Sequence, residues 1–171
     1  KRICSYQKKC SDKEGKEVWH LRESITFASA KDGPQVKNDI SLPISKIPDF
    51  VEYITRKFNQ LYPYGAFINF GHIGDGNLHF KFAPFFNKLS PEGKDKAAEV
   101  ADLLQNKEET IRVLINDAVV LYDGSITAEH GIGRLRKSEN VRLKSDVELE
   151  MMRRIKHSLD PKNILNPEVL F

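Results

Sequence analysis

Residues Val36, Asn38, Ile40 and Leu42 alternate with Lys37, Asp39 and Ser41, and this period of two predicts a strand over 36–42. From Pro48 to Leu61 the spacing changes to that of a helix, with Phe50, Val51, Ile54, Phe58 and Leu61 on one stripe and proline in the first turn, where its missing N–H costs nothing. Ile111, Leu114, Ile115, Ala118, Val119 and Tyr122 form a second stripe, ended by Asp123-Gly124. Val18, Trp19, Ile25 and Ala28 give a weaker helical pattern over 16–31, closing near Asp32-Gly33-Pro34. A last helix is expected from Ser145, which has capping-box spacing to Glu148, to Asp160-Pro161. Residues 87–107 carry Pro91, Gly93 and many charges, and are expected to form an exposed helix or an inserted excursion with no chemistry of its own.

Tyr64 to Phe70 and Leu78 to Phe82 are aromatic-rich and β-prone, and Gly-Asp-Gly-Asn lies between them, so 65–84 reads as a hairpin. If Asp75-Gly76 makes a two-residue turn, Gly74 pairs with Asn77, Ile73 with Leu78 and His72 with His79. Phe70 then shares a face with both histidines. A short strand is expected again at Ser125 to Thr127. The order helix, strand, helix, strand, strand, helix, strand, helix argues for an α+β fold, an antiparallel sheet with helices on one face. The site would lie on the face the helices leave uncovered, which implies a partner domain.

The chemistry concentrates in two segments, Gly71 to His79 (GHIGDGNLH) and Ser125 to Gly133 (SITAEHGIG), which together hold three imidazoles, two carboxylates and five glycines. Directly opposed Cβ atoms lie roughly 4.5–5.5 Å apart, so His72 and His79 in that register can share one divalent ion at about 2.0–2.1 Å. Glu129 is the natural third ligand, since two histidines and a carboxylate form a known open site for zinc or a similar metal. His130, pointing away from Glu129 in an extended segment, is a candidate general base for a substrate hydroxyl. Gly131 and Gly133 let the backbone turn beside a ligand. A pair of histidines alone is more often structural, and Gly-Asp-Gly-Asn occurs in many ordinary turns; the two segments together are the stronger signal.

At 171 residues, 40% hydrophobic and 30% charged, the chain fits one domain over 1–171. The 27 basic and 24 acidic residues are dispersed, which argues against nucleic-acid or membrane-surface binding and is compatible with a small anionic substrate. Cys4 and Cys10 have no partners spaced for a zinc knuckle, so free thiols are expected. No apolar stretch is long enough to span a membrane, and the N-terminal KRICSYQKK looks like mid-protein sequence without a targeting signal.

GHIGDGNLH, GSITAEHGIG and LDPKNILNP (Leu159 to Pro167), in that order and supported by WHLRESIT and KNDISLP, resemble the C-terminal part of the FAD-linked oxidase superfamily that includes D-lactate and D-2-hydroxyglutarate dehydrogenases. The resemblance spans nearly the whole chain. It implies a ferredoxin-like substrate or cap domain and a preceding flavin-binding domain, of which nothing similar is present in the sequence. It implies that His72, His79 and Glu129 hold a divalent metal, zinc for choice. His130 would take the hydroxyl proton as hydride leaves for FAD, Arg22, Thr26 and Lys37 would contact substrate oxygens, and Asn166 would approach the cofactor. Arginine suits a bidentate carboxylate clamp, although Arg22 or Lys37 alone would more often be a surface charge. Lys81 stands where many relatives with two-carboxylate substrates have asparagine, and Asn166-Pro167-Glu168 replaces the usual NPG. Lys81 either reaches a second carboxylate or faces solvent.

The implied partners are a 2-hydroxy acid, the chain's own flavin domain and an electron-acceptor protein or quinone pathway; a homodimer is compatible. The implied location is mitochondrial. A cytochrome-linked D-lactate dehydrogenase is the nearest alternative, and the ether-lipid synthase branch is disfavoured because its His-Gln-His type segment is here Ala128-Glu129-His130. From another class, relatives named actin-interacting proteins imply a binding module, testable by cosedimentation.

Overall fold

A computed structural model describes residues 11–31, 34–63, 65–72, 74–84 and 91–171. The elements are α1 (Asp12–Ala30), β1 (Val36–Ser41), a 3-10 turn (Ile44–Lys46), α2 (Ile47–Leu61), β2 (Gly65–His72), β3 (Asn77–Pro84), α3 (Pro91–Leu121), α4 (Lys137–Leu143) and α5 (Asp146–Leu159). The fold is α+β, with three antiparallel strands in the order β1-β3-β2. Cys4, Cys10, the Asp32-Gly33 part of the first expected turn and Ile73 fall outside the described residues, and Leu78, the partner expected for Ile73, pairs with Gly71 instead.

The core lies on one face of the sheet. Val36 and Ile40 of β1 and Phe80 and Phe82 of β3 point into it, and the α2 stripe of Phe50, Ile54 and Phe58 meets them, all at 0–1% exposure. Each such side chain contributes roughly 1.5–3 kcal/mol by leaving water. Phe67 of β2 stacks on Phe80 with ring centroids 4.5 Å apart, and Phe58 meets Phe82 edge-on at 4.8 Å. From α3, Ile111, Ile115 and Val119 close the cluster.

Three expectations about α3 and its neighbours change. The charged stretch before residue 107 continues as one helix with the apolar stripe after it, interrupted by non-helical backbone at Lys107 (φ −127°, ψ 20°), and Leu104 reaches the core. Ser125 to Thr127 forms no strand: Ser41 and Ser125 exchange both backbone hydrogen bonds (3.0 and 2.8 Å) in one isolated bridge, after which the Ser125 Oγ donates to the Thr127 carbonyl and turns the chain. The short helix α4, not expected from sequence, is held by its buried Glu139, which accepts from Asn116 Nδ2 (2.8 Å) and from Arg142 (2.7 and 2.8 Å).

The ends of the chain follow their local signals. Ser11 and Glu14 form a capping box that starts α1 before the apolar positions begin, and Ser145 and Glu148 form the same box at α5. The Asp160 carboxylate accepts the amides of Ile164 (3.0 Å) and Leu165 (2.9 Å), which gives the LDPKNILNP segment its turn.

Candidate active and metal-binding site

The opposite face of the sheet carries the polar residues. The pairing aligns Asp39 of β1, His79 of β3 and Phe70 of β2 in one row, and Lys37, Lys81 and Ile68 in the next. The hairpin register differs from the expected one. His72 pairs with Asn77 and Phe70 with His79, so the loop has four residues rather than two. A slip of two keeps every side chain on its face, whereas a slip of one would have reversed them. His72 and His79 therefore remain on one face but as diagonal neighbours, ring centroids 6.5 Å apart.

After the Ser41–Ser125 bridge, three consecutive amides converge on one oxygen. Asp39 Oδ2 accepts from Ala128 N (3.2 Å), Glu129 N (3.0 Å) and His130 N (2.9 Å). The segment is therefore curved, not extended, and Gly131 and Gly133 follow with φ of 74° and 59°. This corrects the expectation that Glu129 and His130 diverge: both converge on His79. Glu129 Oε1 lies 3.4 Å from His79 Nε2 and 3.6 Å from His130 Nε2, while the two imidazole rings stack at 5.8 Å. Behind them, Asp39 Oδ2 lies 3.1 Å from His130 Nδ1, and Oδ1 lies 3.9 Å from His79 Nδ1.

Burial opposes the charge on Asp39, yet the amides of His130 and Glu129, with His130 itself, outweigh it and hold the carboxyl below its usual range. Burial lowers the pKa of His79 despite Glu129 and Asp39, which leaves a neutral imidazole at pH 7, the form that binds metals. Among the described residues, Asp39, His79 and Glu129 each offer a ligand atom within 4.8 Å of the others. The 3.4 Å between His79 and Glu129 suits two donors on one ion, since ligands about 2.0–2.2 Å from zinc in a tetrahedron lie roughly 3.3–3.6 Å apart. Among the described residues Asp39 Oδ1 is buried without a hydrogen-bond partner, so uncompensated negative charge stands beside the His79–Glu129 pair, which fits a divalent cation there. His72 stands outside the group, half exposed, with Nδ1 3.5 Å from Asp75.

A cavity of about 340 Å³ opens beside these residues and is lined also by Thr26, Lys37, Phe70, Lys81 and Arg136. Lys37 and Lys81 face each other across the β1–β3 ladder, an arrangement that repels unless an anion shares it. Lys81 is 6% exposed and donates to Ser29 Oγ of α1 (2.9 Å), and burial followed by Lys37 lowers its pKa. Phe70 is no intruder on this face: the Lys81 ammonium lies 4.8 Å and the Arg22 guanidinium 5.7 Å from its ring centroid. Thus Arg22, Thr26, Lys37 and Lys81 gather at one place, with α1 along the site face. Asn166 does not join them; it is exposed with φ 46° and borders a separate cavity with Leu159 and Asp160. Sequence reasoning missed Asp39 and Arg136, whose Nη1 donates to the Ile126 carbonyl (2.7 Å).

A family model for the C-terminal domain of FAD linked oxidases matches residues 6–170. The chain belongs to that family. It is 42% identical over 161 residues to the D-2-hydroxyglutarate dehydrogenase of Xanthomonas citri pv. viticola, covering 94% of the chain and 32% of the relative. Identity to the Stutzerimonas stutzeri protein of the same name is 35%, with the same coverage. The mitochondrial D-2-hydroxyglutarate dehydrogenase of Danio rerio is 37% identical over 152 residues, 89% of the chain and 25% of that protein. The FAD-linked oxidase domain therefore spans a quarter to a third of the length of these relatives.

Proposed function

We propose that this domain is the substrate-binding half of a flavin-dependent D-2-hydroxy-acid dehydrogenase, with D-2-hydroxyglutarate as the preferred substrate. The observation that carries the proposal is the convergence of His79, Glu129 and His130 beside a cavity bordered by Lys37, Lys81 and Arg136. Such a cavity suits an oxygen-rich anion next to a proton acceptor. The relatives' names and the buried cation Lys81, which has no carboxylate partner among the described residues, support a substrate with a second carboxylate.

In this proposal Lys37, Arg22 and Thr26 hold the substrate's C1 carboxylate, and Lys81 takes the second one. The hydroxyl points to the Nε2 side of His130, which accepts its proton as the C2 hydride leaves. His79 and Glu129, with His72 swung away from Asp75, are the proposed ligands of a divalent ion. When bound, such an ion supplies a Lewis acid that acidifies the hydroxyl, and a flavin held chiefly by residues beyond this domain supplies the hydride acceptor. Phe70 and α1 wall the cavity and limit water.

The large apolar side chains left exposed on α1 (Val18, Trp19, Phe27) and α5 (Met151, Ile155) support a partner domain packed along these helices. A mitochondrial location is proposed only so far as the protein is eukaryotic, because the bacterial relatives share the name without that word. The test is steady-state oxidation of D-2-hydroxyglutarate, D-lactate and their L-enantiomers by the full-length flavoprotein with an artificial acceptor. The D-dicarboxylate is expected to give the highest kcat/KM and to be inhibited only weakly by D-lactate. Turnover of none of the four would overturn the proposal; a preference for D-lactate would move it to the lactate branch.

A further inference from the structure

Asp39 is 3% exposed, yet it lies on the cavity side of the sheet beside His79 and His130. One oxygen, Oδ2, accepts three successive backbone amides from the turn that carries Glu129 and His130. Consecutive amides aimed at one anion form an anion-binding concavity, here filled by the chain's own carboxylate. The two oxygens also face the Nδ1 atoms of both imidazoles, at 3.1 Å for His130 and 3.9 Å for His79. Glu129 Oε1 faces the Nε2 atoms of the same two rings, at 3.6 and 3.4 Å. The rings are thus sandwiched, with Asp39 on one side and Glu129 on the other.

We propose that Asp39 is the positioning residue of this site, a buried carboxylate that sets the Glu129–His130 turn and keeps Nδ1–H on His130. With Nδ1 protonated and directed at Asp39 Oδ2, His130 turns an unprotonated Nε2, the atom that receives a proton, toward the cavity. The same turn fixes where Glu129 stands beside His79, and an outer carboxylate that orients a metal ligand makes it a stronger one. Asp39 acts through this turn and through His130. The catalytic half of this inference rests on the function proposed above; the tautomer and loop geometry do not.

Two variants, Asp39→Ala and Asp39→Asn, test it, the second guarding against a loss of folding in the first. In the 171-residue chain, the readouts are imidazole ¹⁵N NMR without metal and zinc affinity by chelator competition. The wild type is expected to show the Nδ1–H tautomer at His130. Asp39→Asn is expected to keep its melting temperature within a few degrees, mix the tautomers and weaken zinc about 10–100-fold, the usual effect of losing such an outer partner. In the full-length flavoprotein the same variant is expected to lower kcat about 10–100-fold with little change in KM, because the substrate-holding cations are untouched. Wild-type tautomers and zinc affinity in a folded Asp39→Asn would overturn the proposal, as would a cobalt-substituted spectrum showing that Asp39 is itself a ligand. If the wild-type enzyme oxidises no hydroxy acid, the proposed function fails while the NMR and zinc results still decide the role of Asp39.

Discussion

Gly76 closes the hairpin turn that delivers His79 to Asp39, and its replacement by alanine should unsettle fold and site together. Its φ is 74°, and an added Cβ would fall 2.1 Å from the Leu42 carbonyl oxygen and 3.2 Å from its carbon. Those are backbone atoms, so no side chain can rotate away. The left-handed conformation costs alanine about 1–2 kcal/mol. Relieving the contact requires the turn to move off Leu42, whose N–H donates to the Gly76 carbonyl at 3.1 Å; losing that bond costs about 0.5–1.5 kcal/mol more. Gly76→Ala should therefore lower unfolding stability by roughly 1.5–3.5 kcal/mol, which moves a urea midpoint down by roughly 1–2 M for a domain of this size. Gly74→Ala in the same loop is the control, because an added Cβ there meets nothing within 4 Å. Urea denaturation of both variants, followed by circular dichroism, is the assay. Equal midpoints for the two would refute the reasoning, since they would show that neither the backbone conformation nor the Leu42 contact is felt.

His79→Ala should weaken zinc binding by more than the roughly 100-fold upper range of an outer-partner change, and His72→Ala by less than His79→Ala, measured by chelator competition; equal losses would mean that both rings ligate from the outset. Lys81→Met should lower kcat/KM for D-2-hydroxyglutarate about 10–150-fold, as loss of a charged hydrogen bond worth about 1.5–3 kcal/mol predicts, and leave D-lactate nearly unchanged; parallel losses would remove Lys81 from the second-carboxylate role. Stability should fall in acid: Arg142, against burial and with Asn116, holds Glu139 below its ordinary value of 4.5, and Lys144 and Ser145 hold Glu148 down to about 2. The unfolded chain binds these protons first, so their stabilisation is complete above pH 4.5 and is lost as pH falls toward 2; a flat urea midpoint across that range would contradict it.

Much of the fold was legible because local chemistry decided it. The α2 stripe, the alternation in β1 and the Ser145–Glu148 box each act within a few residues, and the elements formed where those signals stood. The hairpin turn was ambiguous because Gly74 and Gly76 both permit reversal, and the hydrogen bond from Leu42 N to the Gly76 carbonyl that the four-residue loop makes joins residues far apart in sequence. The Ser125 segment reads as a strand, but past the single bridge the Ala128 amide is shared between the Asp39 carbonyl and a side chain, and the next two amides go to that side chain alone. That side chain, Asp39, was the main omission at the site. In sequence it is one of the outward positions of β1, beside Lys37, and outward normally means solvent. Only the pairing of β1 with β3, which sets Asp39 against His79, reveals that this face is the working one. Glu129 and His130 were found from composition, but their convergence depends on the curvature that Asp39 imposes.

The most direct test of the central claim is an anaerobic half-reaction in the full-length flavoprotein, with D-2-hydroxyglutarate mixed against wild type and His130→Ala and the visible flavin absorbance followed in a stopped-flow instrument. Rapid bleaching is expected in the wild type and bleaching slowed by about 10²–10⁴-fold in the variant, the range for loss of a general base, with substrate binding retained. Bleaching at the wild-type rate in His130→Ala, or none in the wild type, would contradict the claim.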